Sequence, residues 1–232
     1  MACLPPQTDH IGRVKVLITA GPTREPIDPV RFLTNRSSGK MGYALAYAFA
    51  HEGYSVLLVS GPTDLDVPEH VDFLPVQTAA EMHDVVSRYI GHMDIAVFAA
   101  AVADYTPARV EPQKIKKSGE TLSLELVRTA DILGAARQSF GFGGTLVGFA
   151  AETENLELNA RDKLTRKQCD LVVANDVSKP GLGFESDQNE ILLVYPEHSE
   201  ALPAASKHEL SHQLVAAISR LHAERLSSPL PI

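Results

Sequence analysis

Cysteine is rare in this sequence of 232 residues, which contains only Cys3 and Cys169. Two cysteines form neither a disulfide framework nor a paired zinc-binding motif here, which fits a protein of a reducing compartment. Positive charge is also in deficit, because 21 lysines and arginines face 29 acidic residues and the formal net charge is −8. A general nucleic-acid-binding protein normally carries a basic surface, so we expect no nucleic acid partner.

Long hydrophobic runs are absent as well. The longest apolar run covers residues 95–103, far short of the roughly 20 residues that a membrane-spanning helix needs. No charged and apolar signal segment stands at the N-terminus. We therefore expect a cytoplasmic protein without a membrane partner.

The composition that remains is that of an ordinary globular domain, with 44% hydrophobic and 22% charged residues. Residues 1–12 are predicted to be a flexible leader and residues 13–232 to form the domain. Apolar runs alternate with segments of helical periodicity, which predicts an α/β fold. The expected architecture is a doubly wound, mostly parallel, Rossmann-like sheet with helices on both faces. Strands are predicted over residues 14–20, 56–60, 71–76, 95–101, 121–127, 145–150, 171–174 and 190–195, and helices over residues 39–53, 79–90, 131–140, 156–169 and 207–226.

Four informative loops follow predicted strands, at residues 21–38, 101–117, 149–155 and 175–189. Doubly wound sheets bind ligands beyond the carboxyl ends of their strands, near the point where the strand order reverses. We therefore expect these loops to converge on one crevice.

The first loop ends at a glycine-rich helix start, Gly39-Lys40-Met41-Gly42. Glycines at such a position let backbone N–H groups approach an anion, which the helix N-terminus also favours. Ser37 and Ser38 are candidate caps for this helix. The alternative interpretation is a tight strand-to-helix turn that needs no ligand.

Lysines occur in two groups that suit a polyphosphate. Lys114, Lys116 and Lys117 lie in a long loop, and Lys163 and Lys167 share one face of a predicted helix. Asp104, at the end of the most apolar strand, is a natural partner for magnesium. The alternatives are a solvated basic surface and an aspartate that only caps a turn.

Two other functional classes remain open. A nicotinamide-dependent oxidoreductase would use a similar fold, but the second strand ends in Ser60-Gly61 without the acidic residue that binds an NAD ribose. A non-catalytic nucleotide-binding module would bind the nucleotide without turnover. The H-E-x-x-H pattern at residues 208–212 matches a zinc protease motif, but it is more simply a solvated helix face.

Several segments together resemble one family. The segments are 21–31, 34–42, 99–105 with 114–117, 148–153 and 174–176. Their sequences and order are similar to those of bacterial phosphopantothenate–cysteine ligases, in the standalone form without the decarboxylase domain. The resemblance extends over residues 14–220.

This resemblance implies a reaction and its cofactors. The ligase joins 4'-phosphopantothenate to L-cysteine with CTP as co-substrate, through an acyl-cytidylate intermediate, and uses Mg²⁺. Because the first predicted strand begins at residue 14, we expect no decarboxylase domain and no FMN. The resemblance also implies a homodimer, with a small β extension at its interface and a flap around Lys114 that reaches the partner's site.

The resemblance further implies roles for individual residues. Asn35 and Lys114 are the expected catalytic residues, and Asp104 is the expected magnesium ligand. The residue pair before Asp131 is Thr129-Ala130, which departs from the family pattern. The expected nucleotide contacts are Phe98, Ala99, Ala100, Asp104, Lys114, Ala130, Asp131, Ile132, Leu133, Phe149, Lys163 and Lys167. The expected contacts with the acid substrate are Asn35, Ser37, Gly39 and Ala101.

Overall fold

The computed structural model describes residues 12–117, 119–178, 186 and 188–227. Its strands are β1 (Lys15–Ala20), β2 (Arg24–Pro26), β3 (Phe32–Thr34), β4 (Ser55–Ser60), β5 (Val71–Pro75), β6 (Ile95–Phe98), β7 (Tyr105–Pro107), β8 (Leu126–Arg128), β9 (Thr145–Glu152), β10 (Leu171–Asp176), β11 (Gln188–Val194) and β12 (Ser199–Ser206). Its α-helices are α1 (Lys40–His51), α2 (Ala79–Tyr89), α3 (Ile132–Gln138), α4 (Leu156–Lys167) and α5 (Lys207–Ser227). Residues 1–11 of the predicted leader lie outside the described residues.

Within the described residues, eight strands form the main sheet in the order β12-β11-β10-β9-β6-β1-β4-β5. The six strands from β10 to β5 are parallel, and β11 and β12 add an antiparallel edge. The order reverses between β1 and β6, as in a doubly wound nucleotide-binding sheet. The predicted fold class is therefore confirmed.

Helices cover both faces of the sheet. On one face α1 and α5 pack against side chains such as Val16 and Ile18 of β1. On the other face α2, α3 and α4 pack against side chains such as Leu17. Because both faces are covered, the central strands are buried on both sides, which explains their continuous apolar runs.

Two small antiparallel sheets lie outside the main sheet, one formed by β2 and β3 and one by β7 and β8. The first was predicted to be an irregular loop, and three-residue strands are too short for a detectable alternation. The strand predicted at 121–127 is reduced to β8, because residues 121–125 are exposed and have no partner strand among the described residues. The β7–β8 pair provides a small β extension, whose place at a dimer interface stays a prediction.

The helix starts test the capping prediction. At α2, Thr78 and Glu81 form a capping box. The prediction that Ser37 or Ser38 caps α1 is wrong, because Gly39 occupies the N-cap position in the left-handed region (φ 77°) and no side chain caps it. The Ser37 Oγ instead accepts a hydrogen bond from the Gly39 N–H at 3.3 Å. Among the described residues, no helix combines the length and the apolar character that crossing a bilayer requires.

Candidate functional site

A cavity of about 990 Å³, called the first cavity below, opens beyond the carboxyl ends of β6 and β9. The loop after β6, the residues that lead into α3, and one face of α4 form its walls. It therefore lies where a doubly wound sheet is expected to bind a ligand. The predicted nucleotide contacts that line it are Phe98, Ala100, Asp104, Ala130, Asp131, Ile132, Leu133, Phe149, Lys163 and Lys167.

Hydrogen bonds tie two walls of the first cavity together. The Thr129 hydroxyl donates to the Ala103 carbonyl at 2.6 Å, and the Thr129 N–H donates to the Asp104 carbonyl at 3.0 Å. Asp131 then caps α3 by accepting from the Gly134 N–H at 3.0 Å. The pair Thr129-Ala130 departs from the family pattern, but Ala130 still lines the first cavity. Its position is kept because Thr129 fixes this segment to the loop after β6.

Cations on α4 dominate the opposite wall. The Lys163 Nζ donates to the Phe149 carbonyl at 2.5 Å, and Lys167 forms an ion pair with Asp131. Burial lowers the pKa of the Lys163 amine, although Glu152 acts in the opposite direction. Burial acts to raise the pKa of Asp131, but the hydrogen bonds from Lys167 and the Gly134 N–H and the charges of Lys167 and Arg166 together outweigh it, so the pKa is lowered. A phosphate group near Lys163 would favour its charged form.

Two further cations line the first cavity that the sequence reasoning missed, Arg128 and Arg166. Arg166 is ion-paired with Asp162 at 3.2 Å. The signal for Arg166 was available, because it lies three residues after Lys163 and such residues share a helical face. Arg128 ends β8 and had no comparable sequence signal.

A second cavity of about 270 Å³ adjoins the first. The two cavities share Asp104, Phe149 and Lys163 among their lining residues. The predicted residues Ser37, Gly39, Ala99 and Ala101 line the second cavity. Ala99 was predicted to contact the nucleotide, but it lines the second cavity and not the first.

Asn35 lies beside this second cavity. Its Nδ2 donates to the Ala101 carbonyl at 3.0 Å, and Ala101 itself lines the cavity. Backbone hydrogen bonds from Thr23 N–H to the Ala101 carbonyl at 3.2 Å and from Ala101 N–H to the Gly21 carbonyl at 2.9 Å join the two loops. The loop that carries Asn35 is thereby held at the switch point.

Lys114 is not brought into either of these cavities within one chain. It is exposed and lines a separate cavity of about 460 Å³ together with residues of the 107–113 and 122–125 segments. The neighbouring Ile115 is fixed, because its N–H donates to Asp28 Oδ2 at 3.1 Å and its carbonyl accepts from Arg31 at 2.9 Å. The prediction that Lys114 shares a site with Asp104 is therefore unmet within one chain.

Asp104 is the candidate magnesium ligand and lines both adjoining cavities. Its side chain is exposed, and no group of three or more His, Cys, Asp or Glu side chains that could hold a metal occurs among the described residues. A single carboxylate suits Mg²⁺, which proteins commonly bind with one or two carboxylates plus substrate phosphates. The absence of such a group among the described residues also gives no support to a zinc site at residues 208–212.

The strand order and the crevice at its switch point place the chain among the doubly wound α/β proteins. Within that class, the chain belongs to the DNA/pantothenate metabolism flavoprotein C-terminal domain family, whose model matches residues 11–221. The family agrees with the resemblance carried by the sequence motifs.

The coenzyme A biosynthesis bifunctional protein CoaBC of Bacillus subtilis is 47% identical over 218 residues, which cover 90% of this chain and 53% of that protein. Its counterpart from Escherichia coli K12 is 44% identical over 220 residues, or 94% of this chain and 54% of that protein. The chain thus spans about half the length of these curated relatives. The crystal structure of the C-terminal domain of a CoaBC protein is 38% identical, with a TM-score of 0.78, and the match covers 91% of this chain and 96% of that domain.

Proposed function

We propose that this chain is a phosphopantothenate–cysteine ligase, which joins 4'-phosphopantothenate to L-cysteine at the expense of CTP. The observation that carries the proposal is the pair of adjoining cavities at the switch point, one lined by four basic and four acidic side chains and one beside Asn35 and the start of α1. The two cavities share Asp104 and Lys163, so a nucleotide and an acid bound there would meet. The CoaBC relatives are named as coenzyme A biosynthesis proteins, which supports this reaction.

The first step joins the acid to the nucleotide. A carboxylate oxygen of 4'-phosphopantothenate attacks the α-phosphorus of CTP, and the bond to pyrophosphate breaks, which gives an acyl-cytidylate. Lys163, Arg166 and Lys167 lie where they would neutralise the phosphates, so they would stabilise the charge that moves onto pyrophosphate. Lys114 would add a further cation from the partner subunit's flap.

The second step forms the amide. The cysteine amine attacks the acyl carbon, CMP leaves, and the proton of the amine passes to solvent or to the leaving phosphate. The Asn35 amide group would donate a hydrogen bond to the oxyanion that develops on the acyl carbon. Its present partner, the Ala101 carbonyl, holds this side chain at the edge of the second cavity until substrate arrives.

Magnesium and the quaternary state complete the proposal. Asp104 would hold a Mg²⁺ ion together with substrate phosphates, and the ion supplies charge neutralisation at the triphosphate. We infer a cytoplasmic homodimer without FMN; the FMN prediction is checked by the visible absorbance of the purified chain.

A nicotinamide-dependent oxidoreductase remains the alternative with the same strand order. Against it, β4 ends at Ser60, whose hydroxyl donates to the Gly61 carbonyl at 2.8 Å. An uncharged side chain there offers no carboxylate to a ribose. NADPH binding detected by fluorescence would favour this alternative.

The proposal is tested by measuring pyrophosphate release with CTP or ATP, Mg²⁺, and either 4'-phosphopantothenate or no acid. We expect release that requires the acid and proceeds faster with CTP, and amide product only after cysteine is added. The Asn35→Asp variant should release pyrophosphate but accumulate acyl-cytidylate. CTP binding without pyrophosphate release in the wild type would indicate a non-catalytic binding module instead.

A further inference from the structure

Three polar side chains from the C-terminal part of the chain line the second cavity. The loop at residues 175–189 was expected at the crevice, but none of the three was assigned a role from the sequence. Asn175 lies near the carboxyl end of β10, Asn189 lies on β11, and Lys207 is the first residue of α5. All three are at least nine-tenths buried, with exposed fractions of 8%, 5% and 7%. All three line the second cavity.

The Asn175 side chain has no hydrogen-bond partner among the described residues. Among the described residues, every side-chain nitrogen or oxygen that is fully shielded from solvent has a hydrogen-bond partner. Because the amide atoms of Asn175 have no partner, they are not fully shielded. They must therefore open onto the cavity that the residue lines. A carboxamide that opens onto a cavity without a protein partner has both its N–H donors and its carbonyl acceptor available to a ligand.

Lys207 brings a cation to the same cavity, which it lines. A lysine amine binds an anionic group through charge-assisted hydrogen bonds. Its presence therefore favours a negatively charged ligand in this cavity.

The charges around the second cavity favour an anion. Its lining contains Lys40, Lys163 and Lys207 and one acidic residue, Asp104. The first turn of α1 forms another wall, with Gly39 at its N-cap position, no capping side chain and no acidic residue. The first-turn backbone N–H groups of this twelve-residue helix therefore border the same cavity as the carboxamide of Asn175 and the amine of Lys207.

We infer that Asn175 and Lys207, together with the first turn of α1, bind the phosphate monoester of the acid substrate. This inference rests on the proposed ligase function, because it identifies the phosphorylated end of the acid as the group in the second cavity. The carboxylate end then extends toward the shared Asp104 and Lys163. Asn189 is the third polar side chain that lines the cavity. Its Oδ1 accepts a hydrogen bond from the Glu190 N–H at 3.1 Å, so its amide N–H groups are the donors left for a ligand.

The test compares 4'-phosphopantothenate with pantothenate, which lacks only the phosphate. Calorimetric titration without CTP should give wild-type binding at least about tenfold tighter for the phosphorylated acid, the size expected for charge-assisted hydrogen bonds. Lys207→Met and Asn175→Asp should reduce that ratio to about one, because the first removes the cation and the second repels phosphate. Lys207→Arg should keep most of the preference.

Turnover provides the second readout. In the pyrophosphate assay, Lys207→Met and Asn175→Asp should raise the KM for 4'-phosphopantothenate by at least about tenfold and leave the KM for CTP unchanged. Lys15→Met is the matched control, because Lys15 is an exposed lysine at the opposite end of β1. Its KM values should equal those of the wild type.

The failures of the two proposals are distinguishable. If the wild type binds 4'-phosphopantothenate with the expected preference but releases no pyrophosphate, the ligase proposal fails and the phosphate site stands. If turnover is normal but both variants keep the wild-type preference for the phosphorylated acid, the phosphate site is wrong. Equal wild-type affinity for the two acids would also overturn it.

Discussion

At the scale of single residues, Asp28 joins two loops that are far apart in the sequence. Its buried carboxylate accepts hydrogen bonds from the Arg31 side chain, from the Val30 N–H at 2.8 Å and from the Ile115 N–H at 3.1 Å. The hydrogen bond from Arg31 holds the pKa of Asp28 well below its usual range. Because Ile115 directly follows Lys114, this carboxylate also anchors the backbone next to Lys114.

The lowered pKa of Asp28 predicts how stability depends on pH. The charged form is favoured in the folded state, so its stabilising effect is complete above the unfolded-state pKa of about 4 and is lost as the pH falls toward the folded-state pKa. We expect Asp28→Asn to lower the urea midpoint at pH 7, and the difference from wild type to shrink at pH 3. Asp66→Asn, at an exposed aspartate, is the control. A loss at pH 3 as large as at pH 7 would contradict the role given to the charge.

The position of a residue could be predicted from the sequence where a motif is local. Phe98, Asp104 and Lys163 line one cavity, because each follows or faces the carboxyl end of a strand, while their roles stay predictions. Asn175 and Lys207 were not assigned to the site. They belong to distant segments, and only the packing of β10 and α5 around α1 places them in one cavity.

At the scale of elements, Gly42 sets the distance between α1 and β1. A Cβ atom at this position would lie 2.5 Å from the Cβ of Ala20 and 3.2 Å from its Cα. Both elements belong to the rigid core of one sheet face. The first turn of α1 therefore depends on a glycine to line the second cavity.

We expect Gly42→Ala to reduce the free energy of unfolding by about 1–3 kcal/mol, since an added methyl group in a packed interior forces the elements apart. The KM for 4'-phosphopantothenate should rise more than the KM for CTP. Gly91→Ala is the matched control, because nothing lies within 4 Å of its added Cβ and its effect should stay within about 0.5 kcal/mol. Denaturant unfolding and steady-state kinetics measure both effects; equal behaviour of the two variants would refute the close-approach argument.

Elements were predictable in proportion to how much of them is buried. β1, β4 and β6 are apolar along their length because helices cover both faces, so their sequences marked them. β12 is mostly exposed and has no apolar alternation, so only its pairing with β11 identifies it as a strand. The short β2 and β7 strands depend in the same way on their partners.

At the scale of the whole molecule, apolar side chains are exposed around β8 and the segment before it. The exposed residues include Val110, Leu122, Leu124 and Leu126. An apolar surface of this kind is typical of an interaction site. It supports the predicted homodimer, in which the Lys114 loop of one subunit completes the other subunit's site.

Mixing two inactive variants tests this arrangement. Asn35→Asp and Lys114→Gln homodimers should each be nearly inactive in amide formation. If each site takes Asn35 from one subunit and Lys114 from the other, every heterodimer contains one intact site. After subunit exchange at equal amounts, activity should reach about a quarter of wild type, as random pairing into two-fold dimers predicts. No recovery in a mixture that contains heterodimers would place both residues in the same subunit's site.

The central claim is that the acid is activated at the α-phosphorus of a nucleotide held in the first cavity. The most direct measurement is rapid-quench analysis with CTP labelled at the α-phosphorus, 4'-phosphopantothenate and Mg²⁺, without cysteine. The account predicts labelled acyl-cytidylate that forms together with pyrophosphate and passes its label to CMP when cysteine is added. Label that appears only in CDP, or that stays in CTP, would contradict it.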